Sequence, residues 1–401
     1  MPLTPDMQLI SVDDHLIERP GVWQDRLPAK FRDRGPRIAE ATGTETDQYG
    51  FGKQVPKGSQ VWLLEDEVHA QLGLNAVAGK PRELLGTEPL RFTDMIPGCY
   101  EPDARVRDMD LDGVQAALLF PSFPKFAGTM FQTVKDPELA LLCTKAWNDY
   151  VHEEWVMPYP DRFIPIGILP YWDIDASIQE LERLAARGVR AISFPENPVP
   201  LGHPSFHTDH WDRLFNAFEA ADAVVCLHFG TSGQVKLTAP EAPMAVMITL
   251  MGTNSMSTVA DLLFSPVFHR HPKLRVSIAE GGIGWIPWLL ERADLTWERH
   301  RHYQNVNQEV RPSDLFNRHI WGCFISDQYG LDNRYRIGID RLTWECDYPH
   351  SDSFWPNSRG VAAKAFENVP DDEVSAIVEG NARALYRFPR VAASVPAGAT
   401  S

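Results

Sequence analysis

The chain has 401 residues, 44% hydrophobic and 23% charged, a globular composition long enough for one α/β barrel with insertions. Its net charge of −16 comes from acids spread along the chain, which would repel nucleic acid phosphates, and no basic cluster offsets them. No run of about 18 apolar residues occurs, so no membrane span is expected, and the N-terminus lacks the basic-then-apolar pattern of a secretory leader.

In chain order, the first strand is expected in QLISVDDH (8–15), an apolar run ending in Asp13, Asp14 and His15. Residues 21–104, rich in Gly, Pro and charge, break the rhythm and are expected as an insertion over one face, a lid or interface element. From 104 onward strand-like and helix-like pieces alternate. The strands are expected in GVQAALLF (113–120), RFIPIGILP (162–170), VRAISF (189–194), AVVCLHFG (223–230), KLRVSIAEGG (273–282), RHIWGCFIS (318–326) and DRLTWECDYPH (340–350). Helical spacing is clear in 175–188, which Gly188 stops, and in 210–222.

Eight strands separated by helices predict an α/β fold of the (β/α)8 TIM-barrel type with a long insertion after strand 1. No GxGxxG follows the first strand, which weakens a dinucleotide-binding reading. Residues 1–390 are expected as one domain and 391–401, small and polar, as a disordered tail. The stretch 230–264, rich in Met and small residues, reads as an ordinary barrel helix behind a long entry loop, in preference to a helix facing a substrate or partner subunit. Cys99, Cys143, Cys226, Cys323 and Cys346 are odd in number, far apart and without a CxxC pair, as expected of reduced, packed thiols in a cytoplasmic protein.

Active sites of this barrel lie at the C-terminal ends of the strands. Those ends carry Asp13 and His15 (first strand), His228 (fifth), Glu280 (sixth) and Asp347 (eighth), with His350 three residues on. Residues 13 and 15 share one side of an extended chain and Asp14 points the other way. Any one of these residues alone reads as a helix cap or a satisfied polar side chain. Together, Asp13 and Asp347 would neutralise a dication, and His15 and His228 would complete the shell around one divalent metal ion, zinc first and manganese second. Tyr348 and Trp355, with His350, are expected to wall a pocket for a planar small-molecule substrate.

The phrases ISVDDH, DMDLDGVQAALLFPS, GVRAISFPEN, HPKLRVSIAEGGIGWIPWLLERAD and WECDYPHSD cover nearly the whole barrel. In them the chain resembles the amidohydrolase superfamily, within it the amidohydrolase-related group that includes aminocarboxymuconate semialdehyde decarboxylase and γ-resorcylate decarboxylase. The resemblance matches the family's H-x-H after strand 1 to Asp13-Asp14-His15, its strand-5 histidine to His228 and its strand-8 aspartate, a ligand and proton-transfer residue, to Asp347. It places Glu280 where the family has a histidine that activates or orients water. No lysine follows strand 4 (Glu196 and Asn197 stand there), so one metal is expected rather than a carbamylated-lysine pair. It also implies a homodimer or higher homo-oligomer.

The first reading of function is hydrolysis of a small cyclic or aromatic substrate by metal-activated water, with Glu280 or Asp347 as general base. Alternatively Glu280 orients a metal-bound histidine. The alternative reactions are non-oxidative decarboxylation or hydration of an aromatic or unsaturated acid, with Asp347 supplying the proton in the decarboxylation. An anionic substrate would call for a cation among Arg190, His203, His207, His210 and His350. A third reading is an inert barrel serving as a binding subunit.

Overall fold

Among the described residues of the computed structural model, 3–46, 54–88 and 91–390, eight parallel strands succeed one another around a barrel. They are β1 (Leu9–His15), β2 (Val114–Phe120), β3 (Phe163–Ile164, resuming as Ile166–Ile168), β4 (Ala191–Phe194), β5 (Val224–His228), β6 (Arg275–Ala279), β7 (Ile320–Phe324) and β8 (Leu342–Trp344). Each pairs in parallel with the next. Pro165 has no N–H to donate, and β3 divides there: Phe163 and Ile164 pair with β2, Ile166–Ile168 with β4. The circle closes just beyond β8, where Asp347 N–H donates to the Asp13 carbonyl at 2.8 Å and His15 N–H to the Tyr348 carbonyl at 2.7 Å. The expected tail at 391–401 lies outside the described residues.

Strands covered on both faces need no polar alternation. All of β1, β4, β5 and β8 is buried. Asp13, Asp14 and His15 are therefore buried acids and a buried base, which need partners. One extra residue of β1 between Ser11 and Asp14 shifts the register against β2. The crossover helices follow the expected pattern. Asp173 caps Ile174–Ala186 by accepting from Ala176 N–H at 3.0 Å, and Gly188 ends the unit at φ +85. The five cysteines are free and buried. No helix among the described residues is long and apolar enough to cross a membrane.

The insertion after β1 holds a three-stranded antiparallel sheet (Arg37–Glu40, Gln60–Leu64, Glu67–Ala70) followed by single 3-10 turns. It lies on the C-terminal rim. Val77 N–H and Ala78 N–H both donate to the Pro349 carbonyl, Ile17 N–H donates to the Cys99 carbonyl, and Trp62 stacks on Phe123 at 4.6 Å. In the stretch 230–264, Gly252–Phe264 is the expected barrel helix, but the short helix Met244–Thr249 before it faces a cavity. The preference for an ordinary helix holds for one half and fails for the other. Met244 and Met247 of that short helix form part of the cavity wall.

Arg105, fully buried on the helix Pro102–Asp112, ties the insertion to β1. Its Nε donates to the Gly98 carbonyl at 2.7 Å and its Nη2 to the His15 carbonyl at 2.6 Å. The guanidinium lies over the Tyr348 ring at 4.1 Å and 3.9 Å from Asp14, whose carboxyl burial pushes up to about 7 against the pull of Arg105. Removing one partner of a buried charged group leaves the other uncompensated. Arg105→Met is expected to cost about 3–5 kcal/mol, read as a lower urea midpoint. Arg105→Met with Asp14→Asn should cost less than the two single changes summed, since the stranded carboxylate is gone.

Candidate metal centre

Two strand-end acids leave the sheet with left-handed backbone, Glu280 at φ +52 and Asp347 at φ +56. Non-glycine residues rarely adopt this region, and its cost persists where surrounding structure holds it. At Glu280 the hold is an N–H donated to Glu345 Oε2 at 3.2 Å; at Asp347 it is the barrel-closing bond to Asp13. Asp13 and His15 project together from β1, as period-two geometry requires. Asp14 turns away to accept from Ser11 Oγ at 2.7 Å.

The structure brings together Asp13, His15, His228, Glu280, Asp347 and His350. One donor atom each from Asp13, His15, His228 and Glu280 lies within 4.8 Å of the others, as do donors from His15, Asp347 and His350. His15 Nε2 is 3.4 Å from both Asp13 Oδ1 and Asp347 Oδ1. His228 Nε2 is 3.2 Å from His15 Nε2, 3.2 Å from Glu280 Oε2 and 3.4 Å from Asp13 Oδ2. His350 stacks on His15 at 3.7 Å, with its Nδ1 2.9 Å from Asp347 Oδ1. Phe126 packs on the rings of His15 and His228 at 4.6 and 4.3 Å.

This cluster is poor in its own hydrogen bonds. Both oxygens of Asp13 and both of Asp347 are buried without a well-directed donor, although such groups are nearly always satisfied. Among the described residues, Asp13, Glu280 and Asp347 form ion pairs with histidines only. Burial pushes every acid here upward. Asp347 is raised well above its ordinary range by burial and then by Glu280 and Asp13, and Asp13 by burial and then Asp14. Burial lifts Glu280 and Glu345 to about 8. It holds His15 well below its usual range and His350 down to about 3. Left alone, the cluster tends to neutrality. Orphaned carboxylate oxygens facing imidazole nitrogens are the donor set of a divalent cation.

A cavity of about 360 Å³ opens over the cluster. Glu280, Asp347 and His350 line its floor, and Leu72, Leu74, Phe126, Phe229, Met247 and Met251 its walls, with Asn75, Ser122, Lys125, Ser351 and Asp352 the polar exceptions. Two expectations fail here. Tyr348 does not line the cavity: one residue out of phase with Asp347, it points outward, its hydroxyl donating to Asp108 Oδ2 at 2.5 Å. Trp355 also lies off the cavity, donating to the Asp108 carbonyl at 3.1 Å. Arg190, His203, His207 and His210 are not on the cavity wall either. Glu196 binds the loop after β5, accepting from Gly230 N–H at 2.9 Å and Ser232 Oγ at 3.0 Å. Sequence reading missed Lys125, Phe126 and Glu345. For Glu345 a signal existed, because it stands two residues before Asp347 on the same side of the chain.

A (β/α)8 barrel with histidines and carboxylates gathered at its C-terminal strand ends defines a class of metal-dependent enzymes. The family model described as Amidohydrolase matches residues 61–388, and the chain belongs to that family. It is thereby an enzyme of the amidohydrolase superfamily, a metal-dependent hydrolase or carboxy-lyase. The 2-amino-3-carboxymuconate-6-semialdehyde decarboxylase of Dictyostelium discoideum is 25% identical over 264 residues, 64% of this chain and 69% of that one. An amidohydrolase structure from Mycobacterium avium subsp. paratuberculosis K-10 superposes with a TM-score of 0.72 at 20% identity, covering 96% of this chain and 100% of that one. A dihydroxybenzoic acid decarboxylase from Polaromonas sp. JS666, solved with manganese and the inhibitor 2-nitroresorcinol, gives 0.60 at 18% identity, covering 96% and 98%.

The buried acids set a pH dependence. Glu280 and Glu345 sit at about 8 in the fold and near about 4.3 in the unfolded chain. The fold thus keeps protons that the unfolded chain has released, and stability falls as pH rises toward 8. At about pH 6.5 the low-held histidines are neutral in the fold and half charged in the unfolded chain, so their opposing contribution is already smaller than that of the two carboxyls and fades by about pH 7.5. Chelator-treated protein is expected to lose thermal stability between about pH 6.5 and 8, and one equivalent of manganese should remove most of that slope in a melting series.

Proposed function

We propose that the protein is a metal-dependent, non-oxidative decarboxylase of a small aromatic or unsaturated carboxylic acid. One observation carries this reading: Asp347, whose affinity for a proton is raised by burial and then by neighbouring acids, lies at the floor of an apolar-walled cavity beside the donor cluster. An acid with a raised proton affinity suits delivery of a proton to carbon, whereas hydrolysis asks for a base that ionises readily. Relatives named as decarboxylases support the same choice, which displaces hydrolysis, the first expectation from the sequence. An inert binding subunit would have no use for the orphaned oxygens of Asp13 and Asp347.

Asp13, His15, His228 and Asp347 would hold one divalent ion, which when bound supplies positive charge to anchor the substrate carboxylate and an adjacent hydroxyl. The remaining work falls to the chain. Phe126, Phe229, Met247 and Met251 exclude water and press on a planar body. Lys125, on the cavity wall, answers a negative charge there. The Asp347 carboxyl gives its proton to the carbon bearing the carboxylate, and the π-electrons form the new C–H bond. The carbon–carboxylate bond then breaks, its electron pair restores the π-system, and CO2 leaves. His350, 2.9 Å from Asp347 and on the cavity floor, returns a proton from solvent.

The segment 21–104 acts as the lid, since Leu72, Leu74 and Asn75 belong to the cavity wall. Residues 1–390 work as one barrel domain. The working form is a homodimer or higher homo-oligomer, in keeping with the exposed Trp288, Tyr303 and Leu84.

Metal-loaded protein should release CO2 from one or more of a panel of hydroxybenzoic acids and leave cyclic amides and lactones intact. The reverse outcome would return the assignment to hydrolysis. Asp347→Asn should lower kcat by about 10³-fold while circular dichroism stays unchanged.

A further inference from the structure

We infer that Glu280 binds the cation directly, as a fifth protein donor, and that the oxygen-rich centre it creates selects a six-coordinate ion such as manganese over zinc. The inference rests on the metal centre proposed above. It assigns Glu280 neither to the general base nor to a hydrogen-bonding support for a metal-bound histidine.

The first observation is the tautomer of His228. Its Nδ1 lies 2.7 Å from the carbonyl oxygen of Phe229, which can only accept. Nδ1 therefore carries the hydrogen, and the neutral ring presents a bare lone pair at Nε2. That lone pair faces three electron-rich atoms: Glu280 Oε2 at 3.2 Å, His15 Nε2 at 3.2 Å and Asp13 Oδ2 at 3.4 Å. A Glu280 that merely supported His228 would need an N–H from that same Nε2. One added proton there could serve one of the three neighbours. A dication in their midst serves all of them, converting every repulsive approach into a bond.

The second observation is how Glu280 is aimed. Its left-handed backbone turns the side chain off the end of β6 and back over the barrel mouth, and the N–H bond to Glu345 Oε2 holds it there. Glu345 is itself buried and fixed by Cys323, whose thiol donates to the same oxygen. Strained backbone held by a buried partner is a device for aiming one carboxylate, and the target is the shared focus of Asp13, His15 and His228.

Selectivity follows from the donor count. Asp13 and Glu280 give two carboxylates that share one focus with the imidazoles of His15 and His228, and Asp347 stands in an adjoining group joined to it through His15. Were Asp347 to join those four, the donors would number five, more than the tetrahedral shell that zinc prefers, and carboxylate oxygens favour the harder ion. Glu280 also lines the cavity, so it is a donor that an incoming chelating oxygen meets.

The test reads the metal rather than turnover. In crystals of the manganese-loaded protein, a Glu280 oxygen should lie at bonding distance, about 2.2 Å. Glu280→Gln should weaken manganese binding at least tenfold in a chelator competition. It should also strengthen the visible absorption of the cobalt-substituted protein, because cobalt absorbs more strongly as coordination number falls. Glu280→His should invert the preference toward zinc. The inference is overturned if the Glu280 oxygens stay beyond about 3 Å of a bound ion and the cobalt spectrum of Glu280→Gln matches wild type. Wild-type protein that takes up no cation at all would instead remove the metal centre itself, a result plainly separate from a bound ion without Glu280.

Discussion

Two backbone hydrogen bonds hold the first and last strands of the barrel together, and three of the four residues that make them belong to the site. Asp347 N–H reaches the Asp13 carbonyl and His15 N–H reaches the Tyr348 carbonyl. Closing the cylinder and assembling the centre are therefore one event. Residues separated by more than 300 positions cannot meet until β8 finds β1, and once it does, Asp13, His15 and Asp347 have little freedom left. A side chain already fixed by the barrel loses little entropy on gripping a cation.

The same closure puts acids where acids are costly. Asp13, Glu280, Glu345 and Asp347 are all pushed toward protonation by burial, and no arginine or lysine pairs with them among the described residues. The chain does have a buried guanidinium nearby, Arg105, but it spends its hydrogen bonds on the carbonyls of His15 and Gly98 and faces Asp14 instead. The protein thus compensates the acid that faces away from the centre with its own cation and leaves the inward acids for a cation from outside. Fold and site pull against each other until that ion arrives, the usual relation between a strained functional cluster and the scaffold that supports it.

Much of the fold was legible because parallel strands and crossover helices write strong local patterns. Apolar runs alternate with 3.6-period segments, and Asp173 and Gly188 mark one helix at both ends. The meeting of Asp13 with His15, and the absence of Asp14 from the cluster, followed from period two alone. That rule, applied to the other end of the chain, would have exposed Glu345 and turned Tyr348 away. Continuous burial on both faces hid the alternation in WECDYPH. Lys125 and the methionines of Met244–Thr249 were illegible for another reason: they sit on a loop and a short helix whose course is set by tertiary packing, and nothing in their spacing separates a cavity wall from a core. The choice between water and proton chemistry was likewise unwritten, because it depends on how far burial lifts Asp347, which only the assembled barrel decides.

The cavity is built from two sources that share no residues. Its floor comes from strand ends locked by barrel closure, while much of its wall comes from Leu72, Leu74 and Asn75 of the insertion and from the methionine segment after β5. Among the described residues, neither segment supplies a donor to the cluster. Substrate choice can therefore drift by substitutions in these two stretches while the ion-gripping floor stays as it is. Descendants of one such barrel can part ways in what they accept long before they part ways in how they react.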